Sequence, residues 1–173
     1  TFVLILTIIT VLKQLNFLTI TLFIISLAVW LLVQYFFRDP DRNALNEPGI
    51  IIGPCDGTVT DITHILESQY LHAETMRIGI FLSVFNVHVQ RAPIAGEVTL
   101  VEHQPGKFLP AFNLDASKEN EYIAMRIETE YGPLLVKQIS GILARRCVNY
   151  AQPGDRLLTG QRFGLIKFGS RVE

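Results

Sequence analysis

Charge is missing from most of the first 37 residues: Lys13 is the only charged side chain there, and Phe17 to Phe37 carries none across 21 positions. A buried helix of a soluble protein seldom runs that long without a charge. Cysteine is scarce. Cys55 and Cys147 form no CxxC pair, which argues against a disulfide framework or a zinc site. Two isolated thiols suit a reducing compartment. There is no basic run and no acidic tail, and the net charge is -1, so a nucleic-acid partner has no support. His64, His72 and His103 stand at no metal-ligand spacing with another histidine or carboxylate and read as surface residues. No metal is expected.

What is present divides unevenly. The 173 residues fit one domain plus an appendage. Hydrophobic residues make up 49% and the mean hydropathy is +0.33, with the excess concentrated before Arg38. At about 1.5 Å per residue, Phe17 to Phe37 can cross a bilayer core of about 30 Å. Trp30 and Tyr35 suit its interfaces. Thr1 to Leu12 is apolar but too short to span upright, and Lys13, Gln14 and Asn16 divide the two. The pattern predicts a membrane anchor over 1–37, a helical hairpin or a bent helix. A cleaved signal peptide fits poorly, because no small-residue cleavage site follows. Residues 38–48, with Pro40 and Pro48, predict an extended linker.

From Gly49 the pattern changes to short alternating runs: Thr58–Ile62, Arg77–Phe81, Asn86–Gln90, Glu97–Val101, Tyr122–Glu128 and Leu134–Ile139. Gly and Pro punctuate them. The expectation for 49–173 is a mainly β domain, sandwich or barrel-like. Val148 to Ile166, with Pro153-Gly154-Asp155 and Gly160-Gln161-Arg162-Phe163-Gly164, looks like a lipoyl-type turn-and-strand unit. Asp56-Gly57-Thr58-Val59 repeats the turn.

The chain opens on Thr1 rather than Met and stops three residues after Ser170, so it reads as trimmed at both ends. The segment before that stop is Lys167-Phe168-Gly169-Ser170-Arg171. Alone, Gly-Ser is an ordinary turn. Together with Pro54-Cys55-Asp56-Gly57, Asn86-Val87-His88-Val89-Gln90-Arg91-Ala92-Pro93, Asn120-Glu121, Gln138-Ile139-Ser140-Gly141, Ala144-Arg145-Arg146 and Gly154-Asp155-Arg156, it resembles the short bacterial, type A, phosphatidylserine decarboxylase proenzymes over nearly the whole chain. Phe36-Phe37-Arg38-Asp39-Pro40 is similar too.

The resemblance implies autocatalytic cleavage between Gly169 and Ser170. The Ser170 hydroxyl attacks the Gly169 carbonyl, and glycine offers little bulk there. Elimination then leaves a covalent pyruvoyl cofactor derived from Ser170. Its ketone condenses with the serine amine of the lipid as a Schiff base and serves as electron sink for decarboxylation to phosphatidylethanolamine. A serine needs a base. His88 is the candidate base and later acid, with Asp56 as candidate orienting carboxylate. Longer members carry a second histidine where this chain has Arg91, so either His88 takes its role or another group does. A packed strand histidine and a plain Asp-Gly turn are the bland readings of His88 and Asp56. Arg145, Arg146 and Lys137 are candidate phosphate contacts, or strand-surface charges. Lys107 to Phe112 is an apolar loop that dips into the membrane or packs in the core.

The implied partners are phosphatidylserine in the membrane and the chain's own cleaved small subunit, with homo-oligomerisation open. The implied location is the inner membrane, with the catalytic domain on the cytoplasmic side. The rival readings are a non-enzymatic, membrane-anchored β adaptor and a pyruvoyl decarboxylase acting on a soluble amino acid. An adaptor would stay in one piece. A soluble substrate gives no reason for the apolar front.

Overall fold

The computed structural model describes residues 1–45, 47–110, 116–141, 146–167 and 170–173. The chain separates into two compact units, Thr1–Arg38 and Asp39–Glu173.

In the first unit, α1 (Phe2–Lys13) and α2 (Phe17–Phe36) are joined by three residues. Asn16 starts α2 as its N-cap. Its side chain accepts from Thr19 N at 3.0 Å, and the Thr19 hydroxyl accepts from Asn16 N at 3.1 Å. This reciprocal capping satisfies two backbone donors that a helix start leaves open. Within this apolar pair the hydroxyls of Thr7 and Ser26 meet at 2.9 Å. Such a bond tethers α1 to α2 where hydrophobic contrast is weak. Over its 20 residues α2 has a mean hydropathy of 2.3. That is length and composition enough to cross a membrane.

The second unit is mainly β. Its described strands are β1 (Thr58–Glu67), β2 (Ala73–Leu82), β3 (Val89–Arg91), β4 (Gly96–Gln104), β5 (Tyr122–Thr129), β6 (Gly132–Ile139), β7 (Cys147–Asn149), β8 (Arg156–Leu157), β9 (Arg162–Ile166) and β10 (Ser170–Val172). They form two antiparallel sheets, in the orders β1-β2-β10-β6-β5-β4-β8 and β3-β9-β7. The stretch with lipoyl-type turns is divided between them, since β7 and β9 pair with each other while β8 pairs with β4.

Local chemistry sets the turns. Gly132 closes the β5–β6 hairpin at φ 109°, a region open to glycine at little cost. The Glu67 carboxylate accepts from the backbone N–H groups of Gln69, Tyr70 and Leu71 and so closes the β1–β2 turn. The run Asn86–Gln90, expected as a strand, is extended only from Val89. Asn86 instead closes a turn, its side-chain oxygen accepting from the backbone N–H and hydroxyl of Ser83 at 2.9 and 2.8 Å. Asn is favoured in turns because its side chain can stand in for a backbone acceptor.

Alternation then sorts the long sheet into two faces. One carries Ile80, Leu82, Val98, Ile123, Met125, Ile127, Val136 and Val172, which pack in one apolar cluster with Phe163 and Ile166 of the short sheet. The other carries Tyr122, Ala124 and Ile139 under Tyr70. Ile127 is fully buried, and Ile62 on β1 is 61% exposed. Ile127→Ala is therefore expected to cost about 2–5 kcal/mol. Ile62→Ala should stay within about 0.5 kcal/mol. Urea denaturation measures both, and equal losses would overturn this placement of the core.

Candidate active site

β10 is three residues long and lies between β2 and β6. Ser170 pairs with Leu82, Arg171 with Phe81 and Ile139, and Val172 with Ile80 and Gln138. Opposed residues of antiparallel strands point to one face, so Ser170 looks toward the apolar interior with Leu82, Val172 and Gln138. Its exposure is 0%, and its hydroxyl has no hydrogen-bond partner among the described residues.

His88 immediately precedes β3 in the other sheet. Val89 pairs with Leu165, and the His88 carbonyl accepts from Ile166 N at 3.2 Å. Four residues after Ile166 the chain is at Ser170. The connection 83–88 leads from β2 to β3. His88 is 2% exposed. Its Nδ1 lies 3.0 Å from the Asn86 carbonyl oxygen. A carbonyl only accepts, so this contact assigns the proton to Nδ1 and makes Nε2 the basic nitrogen.

Two glutamines, Gln90 and Gln138, are buried, and neither has a role from sequence beyond its motif. Gln138 Nε2 donates across the sheets to Gln90 Oε1 at 2.9 Å and to the Val148 carbonyl at 3.1 Å. Gln90 Nε2 and Gln138 Oε1 have no partner among the described residues. The alternation of β3 places Gln90 two residues past His88, which is the signal that could have found it.

Asp56 lies apart from this pair. Its carboxylate receives Arg42 Nη2 at 2.6 Å, in a half-exposed ion pair. It borders a cleft of about 250 Å³ also lined by Val87, Val89 and Arg91. The Asn86 carbonyl holds the position on His88 Nδ1 that an orienting carboxylate would take. Arg91, where longer members carry a second histidine, is committed elsewhere. It donates to Asp39 Oδ1 at 2.9 Å, the Pro40 carbonyl at 3.1 Å and the Gly160 carbonyl at 3.2 Å. Arg162 also pairs with Asp39, at 2.6 Å. These contacts hold the segment that follows Arg38 on the β unit.

Lys137 sits over the Tyr122 ring at 4.1 Å and is held below the usual lysine range by burial and the Arg77 charge, against Glu173 and Glu67. Arg146 is exposed. Gly169 and Arg145 lie outside the described residues, as do Phe168, Ala111, Phe112 and Ala144. His64 on β1 and His72 in the following turn are exposed, and His103 pairs with Glu121 at 3.2 Å. Burial, then the Asp56 charge, pushes the Cys55 thiol up to about 12, and burial, then Glu121, does the same to Cys147. Thiols kept protonated are poor nucleophiles. Among the described residues no group of three or more His, Cys, Asp or Glu is placed to hold a metal.

A buried serine with no hydroxyl partner among the described residues, in a unit of two antiparallel sheets, defines a mainly β protein with a serine hydroxyl facing its own interior. The family model for phosphatidylserine decarboxylase matches residues 30–173. The chain is 47% identical over 145 residues to a phosphatidylserine decarboxylase proenzyme of Carboxydothermus hydrogenoformans, covering 84% of this chain and 68% of that protein. It is 45% identical to the proenzyme of Symbiobacterium thermophilum, over 81% of this chain and 66% of the relative. For that of Parabacteroides distasonis the figures are 42%, 86% and 69%. The chain spans about two thirds of the length of these relatives. It belongs to the phosphatidylserine decarboxylase family, and these relatives do not favour the adaptor reading.

On the face of β10 opposite Ser170, Arg171 binds Asp61. Burial would raise the Asp61 carboxyl, but hydrogen bonds from Arg171 and Thr60 and the charges of Arg171 and Arg77 outweigh it and hold it below its ordinary 3.8. A carboxyl depressed in the folded state contributes stability above its unfolded value and loses it as pH falls through the lower folded value. Asp61→Asn should therefore be less stable at pH 7, with the gap to the natural protein closing below about pH 4. Urea midpoints measured from pH 7 to pH 2 check this, and a gap independent of pH would contradict it.

Proposed function

We propose that this chain is a self-processing phosphatidylserine decarboxylase proenzyme, cut between Gly169 and Ser170, whose position 170 becomes a pyruvoyl group. The observation that carries the reading is the buried Ser170 hydroxyl with no partner among the described residues. Leaving a hydroxyl buried and unbonded costs about 1–3 kcal/mol. Such a cost persists where the group has chemistry to perform.

His88 is the proposed base. With the Nδ1 proton on the Asn86 carbonyl, Nε2 is the basic nitrogen, and in this reading it takes the Ser170 proton. The Ser170 oxygen adds to the Gly169 carbonyl and the amide becomes an ester. Loss of a proton from Cα of residue 170 and departure of the Gly169 carboxylate open the chain. Hydrolysis then releases ammonia.

The residues fit the resulting group. It is no larger than the serine it replaces, and the Ser170 hydroxyl has no hydrogen bond to lose among the described residues. When present, the group supplies a conjugated carbonyl that accepts the electrons left by departing carbon dioxide. His88 is placed to return a proton to the product. Asp56 is kept as a positioning residue, acting on the 87–89 segment from the cleft wall. Arg146 is the exposed candidate for the lipid phosphate, together with Arg145. Lys137, half-buried, is the lesser candidate.

Phosphatidylserine is the proposed substrate, and α2 the proposed anchor that brings the β unit to it, at the inner membrane with the β unit on the cytoplasmic side. Anchoring raises the effective concentration of head groups at the site. The proposed partner is the chain's own downstream fragment.

Ser170→Ala is expected to stay in one piece on a denaturing gel, while the natural protein appears as two. His88→Ala should slow the cut by about 100-fold or more. The cut natural protein should convert phosphatidylserine in vesicles to phosphatidylethanolamine, and Ser170→Ala should not. Cleavage of His88→Ala at the natural rate would remove the histidine from the mechanism. An uncut natural chain would remove the self-processing reading.

A further inference from the structure

A charged cluster spans the proposed cut. On the downstream side are Arg171 and Glu173, with exposures of 1% and 5% for their side chains. On the upstream side are Thr60 and Asp61 of β1, Arg77 of β2, Ser117 of the short helix Ala116–Glu119, and Lys137 of β6. Arg171 donates to Asp61 Oδ1, to the Thr60 hydroxyl at 2.9 Å and to Glu173 Oε1 at 2.8 Å. Arg77 reaches Asp61 Oδ2 at 3.3 Å and Glu173 Oε1 at 3.8 Å. The Ser117 hydroxyl donates to Glu173 Oε1 at 2.5 Å. Backbone bonds of 2.9 and 3.0 Å join Glu173 to Lys137.

Gly79 makes the room. A Cβ there would overlap the Arg171 guanidinium and the Asp61 carboxylate. The cluster therefore lies flat against the β2 backbone. An arginine this buried is costly unless every donor is engaged. Here its Nε, Nη1 and Nη2 are all engaged, and two of the three acceptors come from the upstream side.

The alternation of β10 turns Arg171 away from the interior that Ser170 faces, so the cluster lies on the side of the sheet away from the reacting hydroxyl. Its contacts are of another kind. While the chain is continuous, Arg171–Asp61, Arg171–Thr60, Glu173–Ser117 and Glu173–Arg77 are intramolecular. Once the 169–170 peptide opens, each of them joins two chains.

We propose that the Asp61–Arg171–Glu173 cluster is the clasp that keeps the downstream, pyruvoyl-bearing chain on the upstream chain after the cut. The proposal rests on the self-cleavage reading. Arg171 is a positioning residue in it: it acts by holding position 170 in the sheet.

The test uses the full-length gene product with a tag at the far end of the downstream chain. Dissociation of the tagged chain from the cut protein is followed in natural, Arg171→Met, Arg171→Lys and Asp61→Asn forms. Each substitution is also placed in the uncut Ser170→Ala chain, where the peptide bond does the holding. In the cut protein, Arg171→Met and Asp61→Asn are expected to release the downstream chain about 100-fold faster or more, the order that follows from removing one partner of a buried pair. Arg171→Lys should recover much of the retention, and the Ser170→Ala forms should remain folded by circular dichroism.

Unchanged dissociation in Asp61→Asn would overturn the clasp. So would failure of both variants to cut while their Ser170→Ala forms stay folded, because the cluster would then serve the cleavage step. Unfolding of the Ser170→Ala forms would overturn it as well, since the cluster would be needed by the fold whether cut or not. A natural protein that never cuts fails the self-cleavage reading, a different outcome from any of these.

Discussion

A strand of three residues, Ser170–Val172, fills the space between β2 and β6, and the rest of the β unit is organised by that pairing. Without β10 the seven-stranded sheet would end in two unpaired edges, each with open backbone donors and acceptors. With it, alternate side chains are driven to opposite faces. Ser170 goes to the interior, where Leu82, Val172 and the short sheet exclude water. Arg171 goes to the opposite face, where two carboxylates and a threonine hydroxyl bind it. One short strand thus buries a serine hydroxyl on one side and an ion-paired arginine on the other.

The interior is also where polar groups are placed at a cost. Gln90 and Gln138 bind each other across the sheets and fix the approach of β3 to β6. The Ser83–Asn86 turn sets the carbonyl that orients His88. The first of these fixes the two sheets and the second fixes the His88 ring through a backbone carbonyl. Low dielectric strengthens such hydrogen bonds and penalises any left unmade.

Many of the strand positions were legible because alternation is a direct consequence of a half-buried sheet. Tyr122–Glu128 and Leu134–Ile139 read as strands and lie within β5 and β6. The apolar front also read correctly as helical, since no charge interrupts Phe17–Phe36. The shortened β3 did not read, because Asn86 looks like a strand residue until its side chain is seen to close a turn. Arg171, Asp61 and Gln138 were missed for a common reason. A charged or amide residue in an alternating run ordinarily marks the solvent face, and only the register shows that here both faces are covered. Asp39 and Arg42 read as parts of a linker, and Arg91 only as standing where longer family members carry a second histidine. In the structure they are ion-paired, and pairs between distant positions leave no periodic trace.

The central claim is that position 170 becomes a carbonyl group by internal chemistry. The most direct measurement is the intact mass of the downstream fragment from the cut protein. Self-processing through the Ser170 ester predicts a fragment lighter by one ammonia than the same sequence beginning with serine, and blocked to amine-reactive reagents. A fragment that begins with an unmodified, reactive serine would show simple hydrolysis of the peptide bond and would contradict the account.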